Sequence, residues 1–178
     1  MGLLLRLFGS VNTPNASVRK ILKAAKREVS NRAYRVSNEL RNASLYVLRG
    51  QRSGRRYNIP GTGRVKYYKR TKTAEISHKK YQASAPGEAP AVRTGIFRLS
   101  WGSRVHVEQK GKNFRATSSA VSNTHVGNRL LGDLLESGTN RMEARPYKQA
   151  VRSRAMWHAK RIYNKPFKNL DSMTVVYE

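Results

Sequence analysis

The side chains equipped for chemistry are few and scattered. Histidines stand at His78, His106, His125 and His158, and no two share the spacing that would aim a pair from one helix face at a metal. His106 alternates with Val105 and Val107, as a wet position on a strand does. Among the ten acids, Asp133 and Glu136 lie three apart, but no third polar group completes an acid–base set. Gly61-Thr-Gly63-Arg64 lacks the Gly-Lys-Ser/Thr that closes a phosphate loop. The chain has no cysteine, which removes disulfides, thiolate metal sites and a thiol nucleophile. Asn15-Ala-Ser17 and Asn42-Ala-Ser44 match a glycosylation acceptor, but both fall in a helical pattern and no export signal precedes them. The expectation is a protein that is not an enzyme and holds neither metal nor cofactor.

Positive charge is the abundant resource. Thirty-six Lys and Arg face ten Asp and Glu, for a net charge of +26. Solubility does not require so large an imbalance of one sign, so the surface is expected to meet an anionic neighbour. The charge concentrates between Arg49 and Lys80, where eleven basic residues accompany the single acid Glu75. Tyr57, Tyr67, Tyr68 and Tyr81 are interleaved with them. Basic and aromatic side chains together suit phosphate contact and base stacking. Arg52, Arg55, Arg56, Arg64, Lys66, Lys69, Arg70 and Lys72 are therefore candidate contacts to nucleic acid or to an acidic partner. The same composition fits a solvated or protein-facing arm, because charge alone carries no sequence information. Tyr67-Tyr68 also fits an ordinary two-faced strand.

The elements that must position these residues follow in chain order. Residues 2–8, GLLLRLF, form an apolar plug, too short for a membrane span and broken by Arg6. It is expected to pack on this fold or on a neighbour. Thr13 reads as an N-cap and Pro14 as the first helical residue. From there Val18, Ile21, Leu22, Ala25, Val29, Ala33, Val36, Leu40, Ala43 and Val47 recur at helical spacing. A helix over 14–48 would be roughly 50 Å long, so it either breaks near Ser30-Asn31 or packs along something outside its own small domain. Four glycines and Pro60 make 50–63 a loop. Pro86 and Pro90 make the following stretch an extended arm, and a short helix starts at Thr94. Arg104–Gln109 and Asn113–Val121 read as a hairpin turning at 110–112. Leu130–Glu136 is a strand or a helical turn. After a turn at 137–140, Pro146 opens the last helix, burying Tyr147, Ala150, Val151, Ala155, Ala159 and Ile162, with Trp157 on its edge. Asn164-Lys165-Pro166 ends that helix, and Met173–Tyr177 can add an edge strand to this sheet or to a neighbour's. The length suits one domain over 1–178: the long helix to 48, a basic loop and proline arm over 49–93, and a sheet with the last helix over 94–178. Apolar residues make up 38% of the chain, so a core forms without covering all of it.

Two separated segments point one way. Ala83-Ser-Ala-Pro-Gly-Glu-Ala-Pro-Ala-Val-Arg-Thr-Gly95, followed by Ile96-Phe-Arg-Leu-Ser100, resembles the proline arm and Thr-Gly-x-Leu-x-x-Ser of a tailed-bacteriophage family. That family is the minor tail component, or neck, family of head–tail joining and tail-completion proteins. Leu134-Leu-Glu-Ser-Gly-Thr139 and Met142-Glu-Ala-Arg-Pro-Tyr147 resemble the Glu-x-Gly-Thr and Met-x-Ala-Arg-Pro-Phe of its second motif. The likeness covers about residues 14–163. It departs at Ser137, where an aromatic is common, at Tyr147 in place of Phe, and in the longer basic insertion.

The resemblance implies an α+β fold, with the long N-terminal helix and the C-terminal helix packed on a small antiparallel β-sheet and the basic and proline-rich arms extended from it. It implies a structural virion protein of the phage neck, made in the host cytoplasm, joining the DNA-filled head to the tail. Its partners would be copies of itself in a ring, six- or twelve-fold, adjacent connector, tail-terminator or tail-tube proteins, and genomic DNA in the lumen, with no membrane. Pro86, Gly87, Glu88, Pro90, Thr94, Gly95 and Leu99 would form an arm against the same domain or the next subunit. Glu136, Gly138, Thr139, Met142, Arg145 and Pro146 would shape the turn into the last helix. The reading from another class is a ribosomal or other RNA-binding protein that uses the basic segment 49–80.

Overall fold

The computed structural model describes residues 3–8, 15–50, 52–111, 113–167 and 174–177. The N-cap expected at Thr13, the helix start at Pro14, Lys112 of the hairpin turn and Met173 of the tail lie outside the described residues. The fold is α+β. The chain divides into two compact units, one of residues 1–44, 101–122 and 148–178, the other of residues 45–100 and 123–147.

The first unit is built on a four-stranded antiparallel sheet. Its strands are β1 (Leu3–Phe8), β6 (Trp101–Lys110), β7 (Asn113–Ser122) and β10 (Thr174–Tyr177), in the order β10-β1-β7-β6. The apolar plug is therefore an inner strand, with Leu5 opposite Ala116 on one side and Tyr177 on the other. The tail strand β10 takes an edge, as its pattern suggested. β6 and β7 pair along their whole length, from Trp101 opposite Ser122 to Lys110 opposite Asn113. Gly111, with φ 62°, supplies the left-handed backbone of their turn. Alternation along β7 buries Phe114, Ala116 and Ser118 and leaves Arg115 exposed.

Two helices complete this unit: α1 (Asn15–Val47), of which residues to Ser44 belong here, and α4 (Lys148–Tyr163). α1 buries Ala25, Val29, Ala33, Val36, Leu40 and Ala43, spaced three or four apart as one face of a helix must be. It runs without interruption through Ser30-Asn31, so the break considered there is absent. The helix contacts are dominated by small side chains, and hydroxyls pair the groups that such close approach buries. The single Ser37 Oγ proton lies between the carbonyls of Ser119 (2.6 Å) and Arg104 (3.1 Å), both of which it can reach. Ser118 Oγ donates to the Ala33 carbonyl at 2.8 Å and lies 3.1 Å from the Tyr163 hydroxyl. α4 buries Val151, Ala155, Ala159 and Tyr163. Two expectations fail here. Ala150 is exposed and Ile162 only half-buried, because Tyr163 occupies the last core position. Pro146 precedes α4 by two residues instead of opening it, because Tyr147 is held from outside the helix.

Among the described residues, one charged side chain is buried in this core. Arg32 is 4% exposed and stacks its guanidinium 3.9 Å from the Phe167 ring. It donates to the carbonyls of Tyr163, Lys165 and Pro166, and to Glu28 Oε1 at 2.9 Å. A helix ends with unpaired carbonyls and a partial negative charge, and this arginine answers both at the end of α4. Arg32→Ala should lower stability by about 2–3 kcal/mol, the worth of charge-assisted bonds to groups left buried. Arg32→Lys should recover only part of that, since an ammonium lacks the planar fork. Urea denaturation of the two variants against the parent checks both.

The second unit holds the short elements: β2 (Arg56–Asn58), β3 (Arg64–Tyr68), β4 (Thr73–Ser77), β5 (Lys80–Gln82), α2 (Ile96–Leu99), β8 (His125–Val126), β9 (Arg129–Leu130) and α3 (Leu131–Ser137). β2 pairs with β5, and β3 with β4 nested inside them, both antiparallel. The region expected as a loop and a basic arm is thus a long two-stranded ribbon. It is interrupted at Pro60–Gly63, where Ile59 N–H still donates to the Lys79 carbonyl at 2.7 Å. Strand formation prevails because Tyr57, Val65, Tyr67 and Ile76 are good strand formers at alternating positions. Leu130–Glu136, left open between strand and helix, divides: Leu130 ends β9 and the rest is α3.

Candidate functional site

The second unit brings the two signature segments together. The proline arm begins with Ser84 buried and turns at Ala85–Glu88. Glu88 N–H donates to the Ala85 carbonyl at 3.1 Å, Pro86 takes the first corner, and Gly87 takes the second with φ 77°. These are the requirements of a type II turn, which needs a left-handed residue at its third position. Two arginines fasten the arm by its backbone. Arg145 donates through Nη1 to the carbonyls of Ser84 and Ala85. Arg52 donates to the Pro90 carbonyl through Nε (3.2 Å) and Nη2 (2.9 Å), and to the Val47 carbonyl at 3.0 Å. The neighbouring strand completes the seat: Gly54 N–H donates to the Ala83 carbonyl at 3.0 Å, and a Cβ at Gly54 would come within 2.6 Å of that oxygen.

Glu88 closes the turn from the other side. Its carboxylate accepts the Ser53 hydroxyl (2.6 Å), the Ala85 N–H (2.8 Å) and the Ser53 N–H (3.1 Å). The Ser53 hydroxyl, then these two N–H groups and, more weakly, the Arg52 charge hold its pKa down to about 2. Thr94 and Gly95 then lead into α2, with Gly95 left-handed at φ 84° and its carbonyl accepting Leu99 N–H at 2.9 Å.

The second motif is folded back on itself beside the arm. Gly138, at φ 78°, ends α3, and a Cβ there would lie 2.9 Å from the Met142 carbonyl and 2.8 Å from Ala144 N. Thr139 and Met142 bridge through both backbone bonds, at 2.7 and 3.1 Å. Arg145 N–H donates to the Leu135 carbonyl at 2.7 Å, and Tyr147 N–H to Glu136 Oε2 at 3.0 Å. The Tyr147 ring meets Phe97 of the first segment edge-on, centroids 5.9 Å apart, and its hydroxyl donates to the Gly132 carbonyl at 3.2 Å. Burial pushes the Tyr147 hydroxyl pKa up, and the charges of Glu136 and Asp133 push it the same way.

Between the segments lies a cavity of about 590 Å³, lined among others by Ser84, Pro90, Thr94, Phe97, Met142 and Arg145. Every polar group of the signature described here, Glu88, Glu136 and Arg145 included, is engaged in holding backbone. The arrangement is a clamp on a turn and a helix start.

Of the candidate residues, Pro86, Gly87, Glu88, Pro90, Thr94 and Gly95 gather on one side of this clamp and Glu136, Gly138, Thr139, Met142 and Arg145 on the other. Leu99 points outward, 72% exposed, and Pro146 is also exposed. Arg52, grouped by sequence with the candidate contacts to an anionic partner, is an internal anchor. Arg55, Arg56, Arg64, Lys66, Lys69, Arg70 and Lys72 are exposed. The Ser53–Glu88 pairing and the Phe97–Tyr147 contact carry no spacing signal, since they join residues far apart in the chain. Among the described residues no three His, Cys, Asp or Glu stand close enough to hold a metal ion, and no described helix is long and apolar enough to cross a membrane. Comparison with family models, curated proteins and solved structures finds no match to this chain in any of the three.

Two substitutions at left-handed glycines should part company. Gly138→Ala meets backbone on two sides and should lower stability by about 2–3 kcal/mol, whereas Gly87→Ala faces open space and should cost about 1 kcal/mol for its φ alone. Urea midpoints for the pair check this. Glu88 predicts an acid limb: its pKa falls from 4.5 to about 2 on folding, so its contribution is complete above 4.5 and disappears as pH drops through 2. Melting curves of the parent and Glu88→Gln should accordingly differ most near neutral pH and converge at the acid end.

Proposed function

We propose that this chain is a structural protein of a tailed bacteriophage, a ring component of the neck that joins the head to the tail. One observation carries the reading. The two segments that resemble the neck-family signature lie far apart in sequence, yet Arg145 of the second grips the Ser84 and Ala85 carbonyls of the first, and Phe97 packs on Tyr147. A signature that specifies a fold is expected to meet itself in this way, and its glycines fall where backbone conformation or close approach demands them.

Features suited to assembly support the same conclusion. The four-stranded sheet has open edges at β10 and β6, rows of backbone groups on which another chain can add. Ile96, Leu99 and Val126 are large apolar side chains left in solvent on the second unit, as interface residues of a protomer are. A ring joins two unlike patches of the same chain head to tail, which leaves each protomer with such uncovered surfaces. The partners on this reading are further copies of the chain and the connector or tail proteins above and below it, in the virion.

The test is immunogold labelling of purified particles from cells producing the phage that encodes this chain, together with deletion of its gene. Label at the head–tail junction, and unjoined heads and tails from the deletion, are expected. Complete, infectious tailed particles without the chain would overturn the reading.

A further inference from the structure

The ribbon of β3 and β4 has two unlike faces. Val65 stands opposite Ile76 and Tyr67 opposite Ala74, while Arg64, Lys66 and Tyr68 stand opposite Ser77, Glu75 and Thr73. Side chains alternate across a strand, so the first group makes one face and the second the other. The apolar face is highly exposed, Val65 at 72%, Ile76 at 68% and Tyr67 at 62%. An isolated two-stranded ribbon is marginal in water, and β-branched and aromatic cross-strand pairs are what such a ribbon has to hold it. The apolar face is thereby accounted for within the ribbon. The opposite face and the tip at 69–72 carry the charge: Arg64, Lys66, Lys69, Arg70 and Lys72, all exposed, against Glu75 alone. Lys72 adopts a left-handed φ of 51°, which lets the chain reverse and keeps the tip a tight turn.

We propose that this ribbon is an arm that binds double-stranded DNA through its phosphates. Five cations on an exposed strand pair call for a polyanion. The ten acids of a second copy, set among thirty-six basic residues, do not supply such a polyanion. The major groove of B-DNA is about 12 Å wide and admits a two-stranded ribbon, whereas the major groove of duplex RNA is too narrow. Lys and Arg at the tip and along one face would then reach the backbone on either side. Such contacts position a protein on DNA without reading sequence. The arm excludes Arg52, whose guanidinium is committed to the Pro90 and Val47 carbonyls. The proposal rests on the ribbon's charge and shape and does not depend on the ring reading, although a neck protein would meet the phage genome.

The test is fluorescence anisotropy with a short mixed-sequence DNA duplex over a series of salt concentrations. Two quintuple variants with equal net charge are compared: Arg64, Lys66, Lys69, Arg70 and Lys72 changed to Ala, and the exposed α1 residues Arg19, Lys20, Lys23, Lys26 and Arg27 changed to Ala. Each phosphate contact contributes about 0.9 to the slope of log K against log salt, so the ribbon variant, lacking five, should lose about 4.5 and the α1 variant less than about 1. Far-ultraviolet circular dichroism confirms that each variant folds, and Lys69→Arg with Lys72→Arg should keep the parent slope. Equal losses in both variants, or none in the ribbon variant, would overturn the proposal. So would displacement of DNA by polyglutamate at equal charge, which would identify an acidic protein as the partner, or tighter binding of duplex RNA.

Discussion

A guanidinium on two backbone carbonyls closes the second unit. Proline at 86 and 90 removes two N–H donors from the arm, and a chain so depleted cannot hold itself by strand pairing. Its carbonyls remain, and Arg145 and Arg52 take them from either end. Arg145 is itself placed by its own N–H on the Leu135 carbonyl, and that geometry depends on Gly138 letting the chain double back within 3 Å of itself. These contacts hold the arm, the start of α2 and the Phe97–Tyr147 pair within one unit. Residues of very different chemistry thus serve one local structure.

The first unit solves a different problem with the opposite material. Its helix faces are alanine, serine and valine, which lets α1 lie close over β7, and close approach brings backbone carbonyls into the core. Ser37 and Ser118 answer them with hydroxyls, and Arg32 does the same at the end of α4. Small polar side chains thus substitute here for the large aliphatic ones that a chain of low apolar content lacks.

Period was the most legible property of the sequence. α1 and the β6–β7 hairpin stand where three-to-four and two-residue repeats put them, because each buries one face against a single layer. The ribbon at 56–82 was less legible, since neither face is buried and no alternation of burial marks it. What could not be read was partnership. Arg32 is one of many arginines, and nothing in its neighbours separates it from the exposed ones on the same helix. Arg52 sits in a basic run and was grouped with it, although a carbonyl, not a phosphate, is its partner. Ser53 and Glu88 are distant in sequence and share no motif. Residue type alone singled out the segments 83–100 and 134–147, but what those types do here, a clamp on backbone, required the contacts.

The inner position of β1 has a consequence for how the chain comes to fold. Leu3–Phe8 precedes both of its partner strands in the chain, Phe114–Ser118 and, later still, Thr174–Tyr177. Until those are made, a run of leucines has no sheet to join, and closing it requires contacts between distant parts of the chain, which are slow to form. Transiently exposed apolar strands are the segments on which nascent chains aggregate, and Arg6 in the middle of this one places a charge where self-association would begin. β10 is the last of the four strands in chain order, so the edge it supplies is added after the other three have been made.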